Sequence, residues 1–148
     1  MAGTQFPYRR VEILLVEDNE FDLNLTVAAF RDELVPNRVH CVGDGEAAVN
    51  FVKRIGEYRE APRPDLVVLD LNLPKMDGLQ VLESMKADPE LRSIPVVMVS
   101  GNGSQAEIQR AYELQAAAFV VKPDEVDDYF AAIRSLKDLW FRAAIPAR

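Results

Sequence analysis

The chain has one cysteine, one histidine and one tryptophan in 148 residues. A lone cysteine, Cys41, closes no intrachain disulfide, so a disulfide-held fold is excluded and a reducing cytoplasm is the simple setting. Basic residues are scarce: 17 Lys and Arg stand against 24 Asp and Glu, for a net charge of −7. Nucleic-acid binders carry a basic footprint, so this balance argues against that class of partner. No apolar run is long enough to span a membrane. Arg9-Arg10 precede an apolar stretch, but Glu12 and the Glu17-Asp18 pair interrupt it, which argues against a secretion signal. There is no internal repeat and no low-complexity segment. What remains is a chain 49% hydrophobic and 28% charged. That is the composition of one soluble globular domain with a sizeable core.

The strongest feature present is a set of short apolar runs. Leu66 to Leu69 and Val96 to Val99 are unbroken, and Val11 to Val16 is apolar apart from Glu12. Such runs read as strands buried on both faces, as in parallel sheets. Arg38 to Val42 and Phe119 to Val121 read as two further strands. Helical spacing lies between them. Leu23, Val27, Phe30 and Leu34 share one face, as do Ala47, Ala48, Phe51, Val52 and Ile55, and then Val81, Leu82 and Met85. Ser104-Gln105-Ala106-Glu107 has the form of a capping box that opens a fourth helix. A fifth starts near Asp124, and its Val126, Tyr129, Phe130, Ile133, Leu136 and Trp140 fall within a stripe roughly 140° wide. Residues 1–10 read as a loose arm, 11–141 as the folded unit and 142–148 as a frayed tail, with no separate output domain. Five βα units predict an α/β fold: a doubly wound five-stranded parallel sheet with helices on both faces.

In such a sheet every strand points its carboxyl end to one edge, which is where ligands bind. Strand one delivers Glu17 and Asp18 there, strand three Asp70, strand four Ser100 and strand five Lys122. For the strand order 2-1-3-4-5 the switch point lies between strands one and three, where the acids meet. Clustered carboxylates repel one another and are stable together only with a cation. Hard oxygen ligands suit Mg²⁺. Lys122 adds a point charge for a phosphoryl group, and Ser100 adds a hydroxyl donor. A metal, a lysine and a hydroxyl around one carboxylate favour acyl-phosphate formation on Asp70. The competing reading makes these polar residues turn and capping groups.

Four motifs in order, VEDN (16–19), LDLNLPKMDG (69–78), VVMVSG (96–101) and FVVKP (119–123), resemble the receiver domains of two-component response regulators. The resemblance covers roughly residues 11–141 and implies a flavodoxin-like fold. It implies that Asp70 is the phosphoacceptor, and that Asp18, Asp70 and the backbone carbonyl of Asn72 hold Mg²⁺ with Glu17 acting through water. It further implies that Ser100 moves to meet the phosphoryl group, that Lys122 is the salt-bridging lysine, and that Phe119 is the switch aromatic. A cis peptide is expected at Lys122-Pro123. One departure is Gln115, where the family usually has Gly. If the backbone there needs positive φ, Gln costs about 1 kcal/mol. The stretch EYREAPRPD, the LDLNLPKMDG motif and a final helix ending in Leu139-Trp140 resemble the small regulators that partner bacterial phytochromes. That implies a histidine kinase as phosphodonor, light-regulated in that subgroup, and a homodimer through helix four, strand five and helix five.

Other residues have plainer readings. His40 has no acid beside it in the chain and reads as an edge-strand residue rather than a phosphocarrier. Cys41 reads as a small packing residue. Trp140 either anchors an interface or packs on its own domain. Two rival functions stay open. A phosphatase with an aspartyl nucleophile often has a second acid two residues on, where this chain has Asn72. A binding-only pseudo-receiver should have lost an acid or the lysine, and none is lost here.

Overall fold

Strands alternate with helices throughout the computed structural model, which describes residues 10–31 and 35–142. The strands are β1 (Val11–Val16), β2 (Asn37–Val42), β3 (Leu66–Asp70), β4 (Val96–Ser100) and β5 (Ala118–Val121). The helices are α1 (Glu20–Phe30), α2 (Gly45–Lys53), α3 (Gly78–Ala87), α4 (Gln105–Glu113) and α5 (Val126–Arg142). All pairings are parallel and the order is β2-β1-β3-β4-β5. The predicted doubly wound α/β sheet is therefore present, and its switch point falls between β1 and β3.

Side chains alternate across the central strands and feed two cores. Leu66 and Val68 pack with Ala29, Phe30, Tyr129 and Ile133 of α1 and α5, whereas Val67 and Leu69 pack with Phe51, Val81, Leu82 and Met85 of α2 and α3. Every residue of β1, β3 and β4 is buried, while β2 and β5, at the sheet edges, are partly exposed. This is why the central strands read as continuous apolar runs and the outer two do not. Among the described residues no helix is long and apolar enough to cross a membrane.

Polar caps start the helices at defined points. Asn19 accepts the Asp22 N–H at the head of α1, and capping boxes form at Asp77 with Gln80 and at Ser104 with Glu107. Gly78 is required by close approach: a Cβ there would overlap the Asp70 backbone and come 2.8 Å from Leu71 Cα. Its N–H donates to the Leu71 carbonyl at 2.8 Å, which holds α3 against the end of β3.

Several expectations shift. The buried face of α1 is Thr26, Ala29 and Phe30, and Leu23 and Val27 are only half-buried. The Thr26 hydroxyl lies 3.0 Å from the Tyr129 hydroxyl, so a polar pair occupies part of the α1–α5 contact. Leu34, most of the arm (residues 1–9) and the tail beyond Arg142 lie outside the described residues. A 3-10 turn, Gly56–Tyr58, lies inside the loop before β3. α5 starts at Val126, which is 46% exposed, so the stripe begins on the surface. Cys41 is exposed on the edge strand rather than packed. Trp140 packs against the α1–α5 core, with its Nε1 buried and no hydrogen-bond partner for it among the described residues. Its neighbour Leu139 is 60% exposed. Gln115 has φ +68°, the left-handed conformation in which glycine is favoured.

Candidate functional site

The carboxyl ends of β1 and β3 bring Glu17, Asp18 and Asp70 together, each offering one oxygen within 4.8 Å of the others. Glu17 and Asp70 are 8% and 7% exposed. Both are fixed by the chain that follows them. The Asn19 N–H donates to Glu17 Oε2 at 3.0 Å, and the Asn72 N–H donates to Asp70 Oδ1 at 3.1 Å. From the end of β5, Lys122 Nζ reaches Glu17 Oε1 at 2.8 Å, Asp22 Oδ2 at 2.9 Å and Asp70 Oδ2 at 3.3 Å. The ammonium also lies 5.9 Å from the centre of the Tyr129 ring, within cation–π range.

The electrostatics show a shortage of positive charge. Burial is the largest influence on Glu17 and, with Asp70 beside it, raises its pKa to about 7 against the opposing pull of Lys122. Burial would lower the Lys122 pKa, but hydrogen bonds to Glu17 and Asp22 and the charge of Asp70 together raise it. Lys122 therefore stays an ammonium, yet one ammonium serves three carboxylates and a fourth, Asp18, stands beside them.

The other predicted residues sit nearby in defined roles. Ser100, fully buried at the end of β4, accepts the Asn102 N–H on Oγ at 3.3 Å. Phe119 of β5 lies under the loop after β4, so close to Gly103 that a Cβ there would be 2.7 Å from the Phe119 Cζ. Its N–H donates to the Tyr112 hydroxyl of α4 at 3.1 Å. One expectation is overturned: the Lys122-Pro123 peptide is trans. The trans form is the intrinsically preferred one even before proline, and Lys122 reaches its three carboxylates from it.

Two residues that bond these groups do not lie at strand ends. Asp22 lies in the first turn of α1, and Tyr112 lies on α4. The signal for Asp22 was its place one turn beyond Asp18, just past a good N-cap. At the opposite edge, His40 does have an acid partner. Its Nε2 is 2.8 Å from Glu12 Oε1, contributed by the neighbouring strand β1.

The profile of the response regulator receiver domain matches residues 13–134. The chain belongs to that family. As a receiver it is 35% identical over 136 residues to response regulator Rcp1 of Synechocystis sp., covering 91% of this chain and 92% of Rcp1. The crystal structure of the phosphorylated cyanobacterial phytochrome response regulator RcpA is 36% identical to it. That structure superposes with a TM-score of 0.91, over 95% of this chain and all of RcpA. The Mn²⁺-bound form of Rcp1 matches with a TM-score of 0.90 at 33% identity, over 93% of this receiver and 99% of that chain. The family is one of signalling proteins, and the acid cluster of this receiver has the hard oxygen donors that such a divalent cation takes.

Proposed function

We propose that this receiver accepts a phosphoryl group on Asp70 from a histidine of a phytochrome-type sensor kinase. The observation that carries the reading is the geometry of Lys122, whose ammonium bridges Glu17 and the acceptor Asp70 at 2.8 and 3.3 Å inside an under-neutralised acid cluster. Relatives that are phytochrome response regulators support the choice of kinase.

In this reading Asp18, Asp70 and the Asn72 carbonyl hold Mg²⁺, with Glu17 acting through water. The cation when bound neutralises the acids and draws charge from the phosphoryl oxygens. An Asp70 carboxylate oxygen attacks phosphorus. The bond from phosphorus to the donor imidazole nitrogen breaks, and that nitrogen keeps the electron pair. Lys122 steadies the charge on the transferring group from one side, and the Ser100 hydroxyl donates to it from another. Catalysis is thus confined to the receiver's own phosphorylation and dephosphorylation.

Ser100 ends β4 and the Phe119 ring of β5 lies under the loop after β4, so their movement changes the face made by α4, β5 and α5. That face carries Tyr112, Val121 and Val126, each about half exposed, which supports homodimerisation or partner binding there. The Tyr112 hydroxyl, seated on the Phe119 amide, links α4 directly to the switch strand. The test is intact mass after incubation with Mg²⁺ and acetyl phosphate, with Asp70→Asn in parallel. A gain of one phosphoryl group in the wild type alone is expected, and no gain in the wild type overturns the reading.

A further inference from the structure

The Lys122 ammonium has three N–H donors, and three carboxylates take them: Glu17, Asp22 and Asp70. Two of these, Glu17 and Asp70, belong to the acid cluster that offers oxygens to a cation, and Asp22 does not. A divalent cation in that cluster competes with Lys122 for Glu17 and Asp70 only. The partners left to the ammonium are then Asp22 and the face of Tyr129.

Asp22 is held firmly for this task. Its N–H donates to the N-cap Asn19 Oδ1 at 2.9 Å, and its carbonyl accepts from the Thr26 hydroxyl at 2.8 Å. Thr26 in turn lies 3.0 Å from the hydroxyl of Tyr129, the ring of which faces the ammonium. Lys122 is therefore gripped from α1 and α5 by a network that lies outside the acid cluster. Without Asp22, a cation entering the cluster would leave the ammonium no carboxylate that it does not share with that cation, while its side chain is only 14% exposed, which is costly.

We infer that Asp22 is a positioning residue: it keeps the Lys122 ammonium when a divalent cation draws on Asp70 directly and on Glu17 through water, and so raises the cation affinity of the site. This rests on the metal site of the proposed function and adds a residue to it. The effect runs through Lys122, so it must disappear when Lys122 is gone, whereas a purely through-space charge effect would persist.

A double-mutant cycle on Mg²⁺ affinity, read by calorimetry on the full chain, tests this. Asp22→Asn is expected to raise the Mg²⁺ Kd about tenfold in the wild-type background and less than about twofold in Lys122→Met, a coupling of about fivefold or more. Asp22→Glu, which keeps the charge, is expected to stay within about twofold of wild type. Equal effects of Asp22→Asn in both backgrounds, or none in either, overturn the inference. The same preparations are then loaded with acetyl phosphate. Coupling without phosphoryl gain on Asp70 would leave Asp22 in its role and remove the phosphoacceptor reading. Phosphoryl gain without coupling would do the reverse, and no Mg²⁺ binding by the wild type would remove both.

Discussion

The two edges of one sheet treat buried carboxylates in opposite ways. At the amino edge Glu12, 9% exposed, has Arg10 and Arg38 guanidinium groups 3.8 Å from its carboxylate oxygens and the His40 ring nitrogen at 2.8 Å. At the carboxyl edge Glu17, Asp22 and Asp70 share Lys122, and Asp18 stands beside them. Glu12 is satisfied by its surroundings and helps hold β1 to β2. The carboxyl-edge acids are not satisfied, and they store repulsion that a cation relieves. A buried acid is therefore not by itself a sign of function. A surplus of acids over local cations at the ligand-binding edge is.

This contrast can be broken by experiment, beginning with the largest effect. Burial, with Asp70 beside it, pushes the Glu17 pKa up to about 7 from an ordinary 4.5. Between those values the native state holds a proton that the unfolded chain has released. Stability of the metal-free protein should fall as pH rises through that window, by at most about 1.4 kcal/mol per pH unit. Urea denaturation with a chelator present, repeated across that range, measures the slope; a rise instead would mean that Lys122 fully neutralises Glu17.

Neutralising one acid at each edge should have opposite signs. Glu12→Gln weakens charge-assisted contacts and should cost about 2 kcal/mol. Asp70→Asn removes two like-charge neighbours against one lost attraction to Lys122, and should stabilise the metal-free protein by about 1 kcal/mol. Both are read from denaturant midpoints, and a loss of stability in Asp70→Asn would put the two edges on the same footing. Adding Mg²⁺ at tenfold its Kd should stabilise the wild type by about 1.4 kcal/mol. The gain should shrink in Asp70→Asn and survive in Glu12→Gln, as followed by thermal melts. The smallest effect lies away from both edges. Gln115→Gly relieves the positive φ and should add about 1 kcal/mol while leaving Mg²⁺ affinity unchanged. A change in that affinity would show that the loop before β5 reports to the site.

The sequence alone determined much of this protein. The unbroken runs at 66–69 and 96–99 determined central strands, because a strand covered on both faces admits no polar alternation. Once the strands were parallel, topology sent Glu17, Asp18, Asp70, Ser100 and Lys122 to one edge, since every carboxyl end points the same way. Gln115 was legible as a misfit because its backbone demand is local.

Tertiary structure decided the rest. Lys122 found Asp22 in the first turn of α1, and His40 found Glu12 across the β1–β2 pair, contacts separated by 100 and 28 residues that no local pattern records. Tyr112 met the Phe119 amide, and Trp140 turned onto its own core, because helix rotation and the angle of approach follow from packing against the whole sheet.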